Sequence, residues 1–276
     1  MRPDAMALAG VAFAGAALAP ATAAAWLVGV ARKARLAREL ARVLADLGVR
    51  DAVRAIEPLG GGRSNAVWRL RLADHTIILK RALPVGTVLA FGARWAGPQP
   101  FALDVRATAR VAREARALRV LRAAGVKVPR VLAADPARGV LLLEDLAGLP
   151  LPRALAEPDG ARWLAAYARA IRAAHAAGVV LTDGHAGNAL ACPDGAVALL
   201  DLEFAELAAE LGAGFDTRRG FDLAYAAMYL TPAERARFLA AAGDAPGLAA
   251  AQARVAGFAP LFDRERARQR APRRAA

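Results

Sequence analysis

Residues 181–190 read LTDGHAGNAL. The stretch sets Asp183, His185 and Asn188 between two apolar runs of an alanine-rich chain, and a surface turn needs only some of those polar groups. Upstream, residues 161–177 predict a helix. Trp163, Leu164, Tyr167, Ile171 and His175 share one face, and Gly178 can close it. The VVL that follows reads as a short buried strand, TDGHAGN as a loop, ALA as a resumed strand and CPDG as a turn. Residues 196–205, AVALLDLEFA, read as another strand with Asp201 near its end. Asp183, Asn188 and Asp201 therefore gather at the ends of adjacent strands. A Mg²⁺ bridging phosphate oxygens takes hard oxygen ligands, commonly a carboxylate and an amide. A second carboxylate, free of metal, can orient an attacking hydroxyl and accept its proton.

The bulk numbers bound this reading. A length of 276 residues allows one large domain or two lobes with a real core. A hydrophobic fraction of 57% argues against disorder, although much of it is alanine. The net charge of +13 favours phosphates, nucleic acid or an anionic membrane face, and it equally describes a solvated, Arg-rich surface. The Arg-rich faces lack aromatic interleaving, so no specific nucleic-acid partner is expected. One cysteine, Cys192, excludes an intramolecular disulfide and, with three histidines, makes a Cys/His zinc site a poor fit; a reducing cytoplasm suits it.

Residues 57–82 carry a glycine-rich turn, Gly60, Gly61 and Gly62 with Arg63 and Ser64, followed by AVWRLRL. There Val67, Arg69 and Arg71 alternate against Trp68, Leu70 and Leu72, the period of a strand. ADH reads as a turn and TIILK as a second strand ending in Lys80. Glycines let backbone N–H groups approach phosphate oxygens, and Lys80 supplies a point charge. An ordinary hairpin would look the same, and no Walker A loop is present. Residues 106–124 predict a strongly basic helix whose only acid is Glu114. That acid can neutralise neighbouring arginines such as Arg110 through i,i+4 pairing, or reach Lys80. VPRVLAADPARGVLLLEDLAG then predicts two strands around DPARG, leading out through Gly148 and Pro150.

Taken in order, these stretches resemble the protein-kinase-like superfamily. LGGGRSNAVWRL, LTDGHAGNAL and LLDLEFAE are similar to the glycine loop, catalytic loop and metal-binding strand of its aminoglycoside phosphotransferase and choline kinase branch. RGFDLAYA resembles the segment whose Asp, here Asp222, braces the catalytic loop. Residues 101–135 also resemble the small atypical kinases: RIO kinases and the kinase of the tRNA-modifying KEOPS complex. The resemblance covers roughly residues 57–230.

It implies an α+β, bilobal protein-kinase-like fold with a small β-rich N-lobe, residues 57–148, and a short helical C-lobe, residues 149–262. It implies an ATP- and Mg²⁺-dependent phosphotransferase acting on a hydroxyl of a protein Ser/Thr, a small molecule or a lipid sugar, the last as in lipopolysaccharide-kinase-like members. Gly60, Gly61, Gly62, Arg63 and Ser64 would cover the ATP phosphates. Lys80, paired with Glu114, would hold the α and β phosphates, and backbone groups from Glu144 to Leu146 would meet the adenine. Asp183 would be the catalytic base, with Asn188 and Asp201 as Mg²⁺ ligands. Two departures stand out: Glu203 occupies the position of a kinase glycine, and Leu181 replaces a His before the base. The Leu181 departure keeps a second reading open, a membrane-associated pseudokinase that binds nucleotide without efficient transfer.

The chain ends are less specific. Residues 5–31 carry no charge and at about 1.5 Å per residue could span a bilayer core of roughly 30 Å. The flanking Arg32, Lys33, Arg35, Arg38 and Arg42 would keep the remainder cytoplasmic. A pair of Ala-rich core helices broken at Pro20 is the competing reading. Residues 32–56 open with an amphipathic basic helix that could lie on anionic lipid or pack on the next domain. The segment 82–105 is a candidate lid, and residues 263–276 read as a basic, frayed tail.

Overall fold

Period-two alternation orders the N-terminal sheet. The structure, a computed structural model, describes residues 42–49, 51–59, 64–84 and 104–270. The hydrophobic run 5–31, Gly60 to Arg63, most of the candidate lid and the last six residues lie outside the described residues. β1 (Ala55–Pro58), β2 (Asn65–Arg71), β3 (Thr76–Ala82), β4 (Val131–Asp135) and β5 (Val140–Glu144) form an antiparallel sheet in the order β1-β2-β3-β5-β4. In β3, Ile77 and Leu79 join Leu70, Leu72, Val140 and Leu142 on one face. Ile78 and Ala82 join the core on the other face. Lys80, between them in the alternation, shares that second side.

α1 (Ala107–Ala123) covers this second face with Val111, Ala115, Leu118 and Leu121, and Gly125 ends it in the left-handed region at φ +77°. The first face is closed by Leu44, 2% exposed, from a helical turn at residues 42–46. Of the two uses open to the basic amphipathic helix, its described end takes packing. β1 begins at Ala55, so the sheet starts slightly before the predicted lobe boundary at 57.

The C-terminal half contains β6 (Leu149–Pro150), α2 (Leu151–Ala154), α3 (Arg162–Ala176), β7 (Val179–Val180), β8 (Ala189–Ala191), β9 (Val197–Leu199) and β10 (Glu206–Leu207). The helices α4 (Ala208–Leu211), α5 (Phe215–Met228), α6 (Pro232–Ala242), α7 (Leu248–Ala256) and α8 (Ala259–Arg270) complete it. The predicted face of α3 is buried throughout. β6, β8 and β9 form one small antiparallel sheet, and β10 pairs with β7. β9 is shorter than AVALLDLEFA suggests, since the backbone enters the left-handed region at Asp201, φ +56°. α6 opens with a capping box in which Thr231 and Glu234 satisfy each other's backbone N–H groups.

The expected frayed tail is corrected: residues 263–270 belong to α8. Its Phe262, fully buried, packs with Phe221, Tyr225, Tyr229 and Val255. Arg266 donates to the carbonyls of Leu230 (3.1 Å) and Met228 (3.4 Å) at the end of α5, and Arg270 pairs with Glu234 at 2.5 Å. Among the described residues, no helix is long and apolar enough to cross a membrane.

Leu44→Ala is expected to lower the unfolding free energy by about 2–5 kcal/mol, the range for a buried Leu truncation, as read by denaturant titration. A loss under about 0.5 kcal/mol, the level of a surface change, would mean that the helical turn does not close the core.

Candidate active site

Lys80 is placed by strand alternation under α1, where it is 7% exposed. Its ammonium donates to Glu114 Oε2 at 2.6 Å and to Asp201 Oδ1. Burial alone would lower the lysine pKa; Asp201, Glu114 and Glu203 outweigh it and raise it, so the ammonium stays charged. Glu114, 2% exposed, is pushed up by burial, with Lys80 pulling back down and Asp201 and Glu203 adding to the rise. Glu114 therefore pairs with the strand lysine, and not with its helical neighbour Arg110.

Arg110 has a different partner. Its guanidinium, fully buried, donates to Glu203 Oε2 at 2.9 Å, Ser64 O at 2.9 Å, Leu83 O at 2.7 Å and Val105 O at 3.1 Å. Glu203 also accepts from Ser64 Oγ (2.6 Å) and Asn65 Nδ2 (2.9 Å). The glutamate at the glycine position thus ties the start of β2 to α1 and to the turn after β9. The sequence marks Glu203 as a departure, but it offers Arg110 only as a neighbour of Glu114 and gives Asn65 no role. The available signal is helical spacing: Arg110 lies four residues before Glu114, on the same face. The Ser64 side chain is committed to this carboxylate.

The loop 181–188 is held from below. Asp222, 1% exposed, accepts from Leu181 N at 2.5 Å and Thr182 N at 2.7 Å, and His175 Nε2 lies 3.0 Å from its Oδ2. Thr182 sits at φ +65°, strained for a β-branched residue, and Asp222 holds it there. Leu181 is core: 1% exposed, with its side chain so close over Gly184 that a Cβ there would lie 2.6 Å from it. The backbone of position 181 carries the polar contact, so its side chain is free to be apolar.

Asp183 is half-buried, its side chain 29% exposed. Burial pushes its carboxyl well above the usual range, Asp201 and Glu203 push the same way, and a hydrogen bond from Tyr225 opposes them. Asn188 Nδ2 donates to Asp183 O at 3.0 Å, which leaves the amide oxygen as its ligand atom. His185 stacks on Tyr229 at 4.3 Å, and burial lowers its pKa to about 4.

Glu114, Asp201 and Glu203 lie close enough together to hold a metal ion. Lys80 occupies Glu114, and Arg110, Ser64 and Asn65 occupy Glu203. Asp201, whose Oδ1 Lys80 also engages, is the most exposed of the three, its side chain 31% exposed. A carboxylate and an amide oxygen suit Mg²⁺. Of the hinge candidates, the Glu144 carboxylate accepts from Arg130 N (3.0 Å) and Arg122 (3.3 Å), and its N–H donates to Arg130 O. Leu146 lies just beyond β5, partly exposed. Asp145 accepts from Arg69 and Thr76 and is structural. Gly60, Gly61, Gly62 and Arg63 fall outside the described residues.

Residues 55–179 match the model of the phosphotransferase enzyme family, APH. The Rio2 kinase of Chaetomium thermophilum, solved with ADP, Mg²⁺ and phosphoaspartate, superposes with a TM-score of 0.50 at 13% identity, over 82% of this chain and 72% of its own. This is the protein-kinase-like fold. A kinase-like N-lobe accounts for the five-stranded sheet with α1, and a C-lobe for the helices that follow. The Mycobacterium tuberculosis Rv3197–erythromycin complex is also similar, at 19% identity and a TM-score of 0.42, over 62% of this chain. The chain spans about half, 52%, of the length of that protein. No curated protein matches the chain in sequence.

Arg110→Met should destabilise by about 3–5 kcal/mol, because it strands the buried Glu203 carboxylate. Adding Glu203→Gln to it should recover a large part of that loss in a denaturant-based double-mutant cycle. Strict additivity would show that the two groups do not interact.

Proposed function

We propose that the chain is an ATP- and Mg²⁺-dependent phosphotransferase that moves the γ-phosphate to a hydroxyl. The observation carrying this reading is the Lys80 ammonium held between Glu114 and Asp201, with Asp183 near enough to Asp201 to feel its charge and Asn188 bonded to the Asp183 carbonyl. The family match and the kinase-like fold support it, and the similar Rio2 kinase structure contains ADP and Mg²⁺.

Each residue then has a role. Lys80, kept protonated by its carboxylates, neutralises α- and β-phosphate oxygens. Glu114 fixes its direction. Asp201 and the Asn188 amide oxygen would hold Mg²⁺, which when bound offsets charge on the phosphates. Asp183 orients the acceptor hydroxyl and takes its proton. The glycines before Ser64 would cover the phosphates, with Ser64, its side chain held by Glu203, contributing at most its backbone N–H, and the backbone around Leu146 would meet the adenine. Catalysis is then mostly positioning and electrostatics on a loose transition state. The packed Leu181 supports an intact catalytic loop over a degenerate one.

The acceptor is a hydroxyl of a protein, a small molecule or a glycolipid. Helices α7 and α8 give the C-lobe more substance for an acceptor wall than a frayed tail would. We place catalysis in the cytoplasm; the net charge of +13 suits an acidic acceptor or an anionic membrane face.

A screen of these acceptor classes with labelled ATP and Mg²⁺ tests the reading. Asp183→Asn should cut transfer by about 10²–10⁴-fold with the fold intact by circular dichroism, and chelating Mg²⁺ should stop it. Undiminished transfer by Asp183→Asn would remove Asp183 as the base. Nucleotide binding with no transfer to any acceptor class would instead favour the scaffold.

A further inference from the structure

His185 sits two residues after the proposed base, and its ring is held on several sides. Gly187 N–H donates to Nδ1 at 3.0 Å. A backbone N–H cannot act as an acceptor, so Nδ1 must present its lone pair. The amide nitrogen of Gln269, on the last turn of α8, lies 3.4 Å from the same atom. The Gly187 donor at Nδ1 places the ring proton on Nε2, and the Gln269 amide is set to support it. Tyr229 stacks against the ring at 4.3 Å with an 18° tilt, fixing its plane. Nε2 lies 3.8 Å from Asp183 Oδ1. Gly187 is required for this closeness: a Cβ there would come within 2.7 Å of Gln269 Nε2 and 2.8 Å of His185 Cε1.

A second neutral group reaches Asp183. Tyr225 hydrogen-bonds to the carboxylate, and its hydroxyl lies 3.1 Å from that of Tyr229. Among the described residues, the groups set beside the base on these sides are Tyr225 and His185, both neutral donors. A cation there would stabilise the carboxylate and weaken it as a base.

We propose that His185, locked as its Nε2–H tautomer by Gly187 and by Gln269 of the C-terminal helix, is a positioning residue that donates toward Asp183 and fixes the carboxylate for the acceptor hydroxyl. This rests on the phosphotransferase reading for its consequence, but not for its geometry. The 3.8 Å gap is longer than a hydrogen bond, and the proposal requires it to close when the acceptor binds. α8 thereby becomes part of the catalytic apparatus: it sets the tautomer of the group next to the base.

The test uses the full chain, ¹⁵N-labelled, with its three histidines, His75, His175 and His185, resolved by long-range ¹H–¹⁵N correlation. His185→Phe assigns the His185 signals. The expected pattern is a protonated Nε2 and a lone-pair Nδ1, moving toward a tautomer mixture in Gln269→Leu. Turnover of Mg·ATP to ADP, with water as acceptor, is measured in parallel. His185→Phe keeps the ring stack and loses the donor; His185→Gln keeps a donor near the Nε2 position and loses the stack. His185→Phe should lower kcat about ten- to a hundredfold with KM for ATP unchanged, the scale of a misplaced catalytic group, and His185→Gln should restore most of it. A protonated Nδ1 overturns the proposal, as does wild-type kcat in His185→Phe or an equal loss in both variants. A wild-type chain that yields no ADP with water or with any acceptor class of the screen would refute the phosphotransferase reading instead, while the nitrogen shifts still decide the tautomer.

Discussion

A buried ammonium is expensive. Taking Lys80 out of water costs several kcal/mol unless carboxylates meet it with good geometry. Its partners come from elements far apart in the chain: Glu114 from α1 and Asp201 from the turn after β9. The sheet, the helix and the C-lobe turn must therefore arrive together for the charge to be satisfied. Folding of the core and assembly of the cleft are one event at this point. The same carboxylates that make the burial tolerable keep the lysine charged.

Two kinds of feature are legible in the amino-acid sequence. Strand alternation around Lys80 and the helical periods of 106–124 and 161–177 can be read because each depends on local burial pattern alone. LTDGHAGNAL and LLDLEFAE can be read because their polar residues stand out in an apolar setting, and Asp222 comes with the resemblance. The Arg110–Glu203 pair is hidden. The chain has 38 Lys and Arg residues, and which of them is buried depends on what lies opposite in space. α8 is hidden for a similar reason. Its arginines look like a solvated tail, yet Arg266 and Arg270 find carbonyl and carboxylate partners on α5 and α6, and Phe262 supplies the anchor.

At Leu181 and Thr182 the main chain, not the side chains, makes the contact to Asp222, a carboxylate already approached by His175 from α3. With the main chain held, the Leu181 side chain contributes packing over Gly184. The strained Thr182 backbone is the visible cost of this arrangement, and it persists because the carboxylate beneath over-determines it.

The guanidinium of Arg110 also receives the carbonyls of Leu83 and Val105, so the chain between them leaves and returns at one side chain. A chain pinned at two such points behaves as a closed loop. Its closure entropy grows only as the logarithm of its length, about 0.6 kcal/mol for each doubling. A change in chain length between the two anchored carbonyls would thus cost little, while Arg110 ties the end of the Lys80 strand to the helix that carries Glu114.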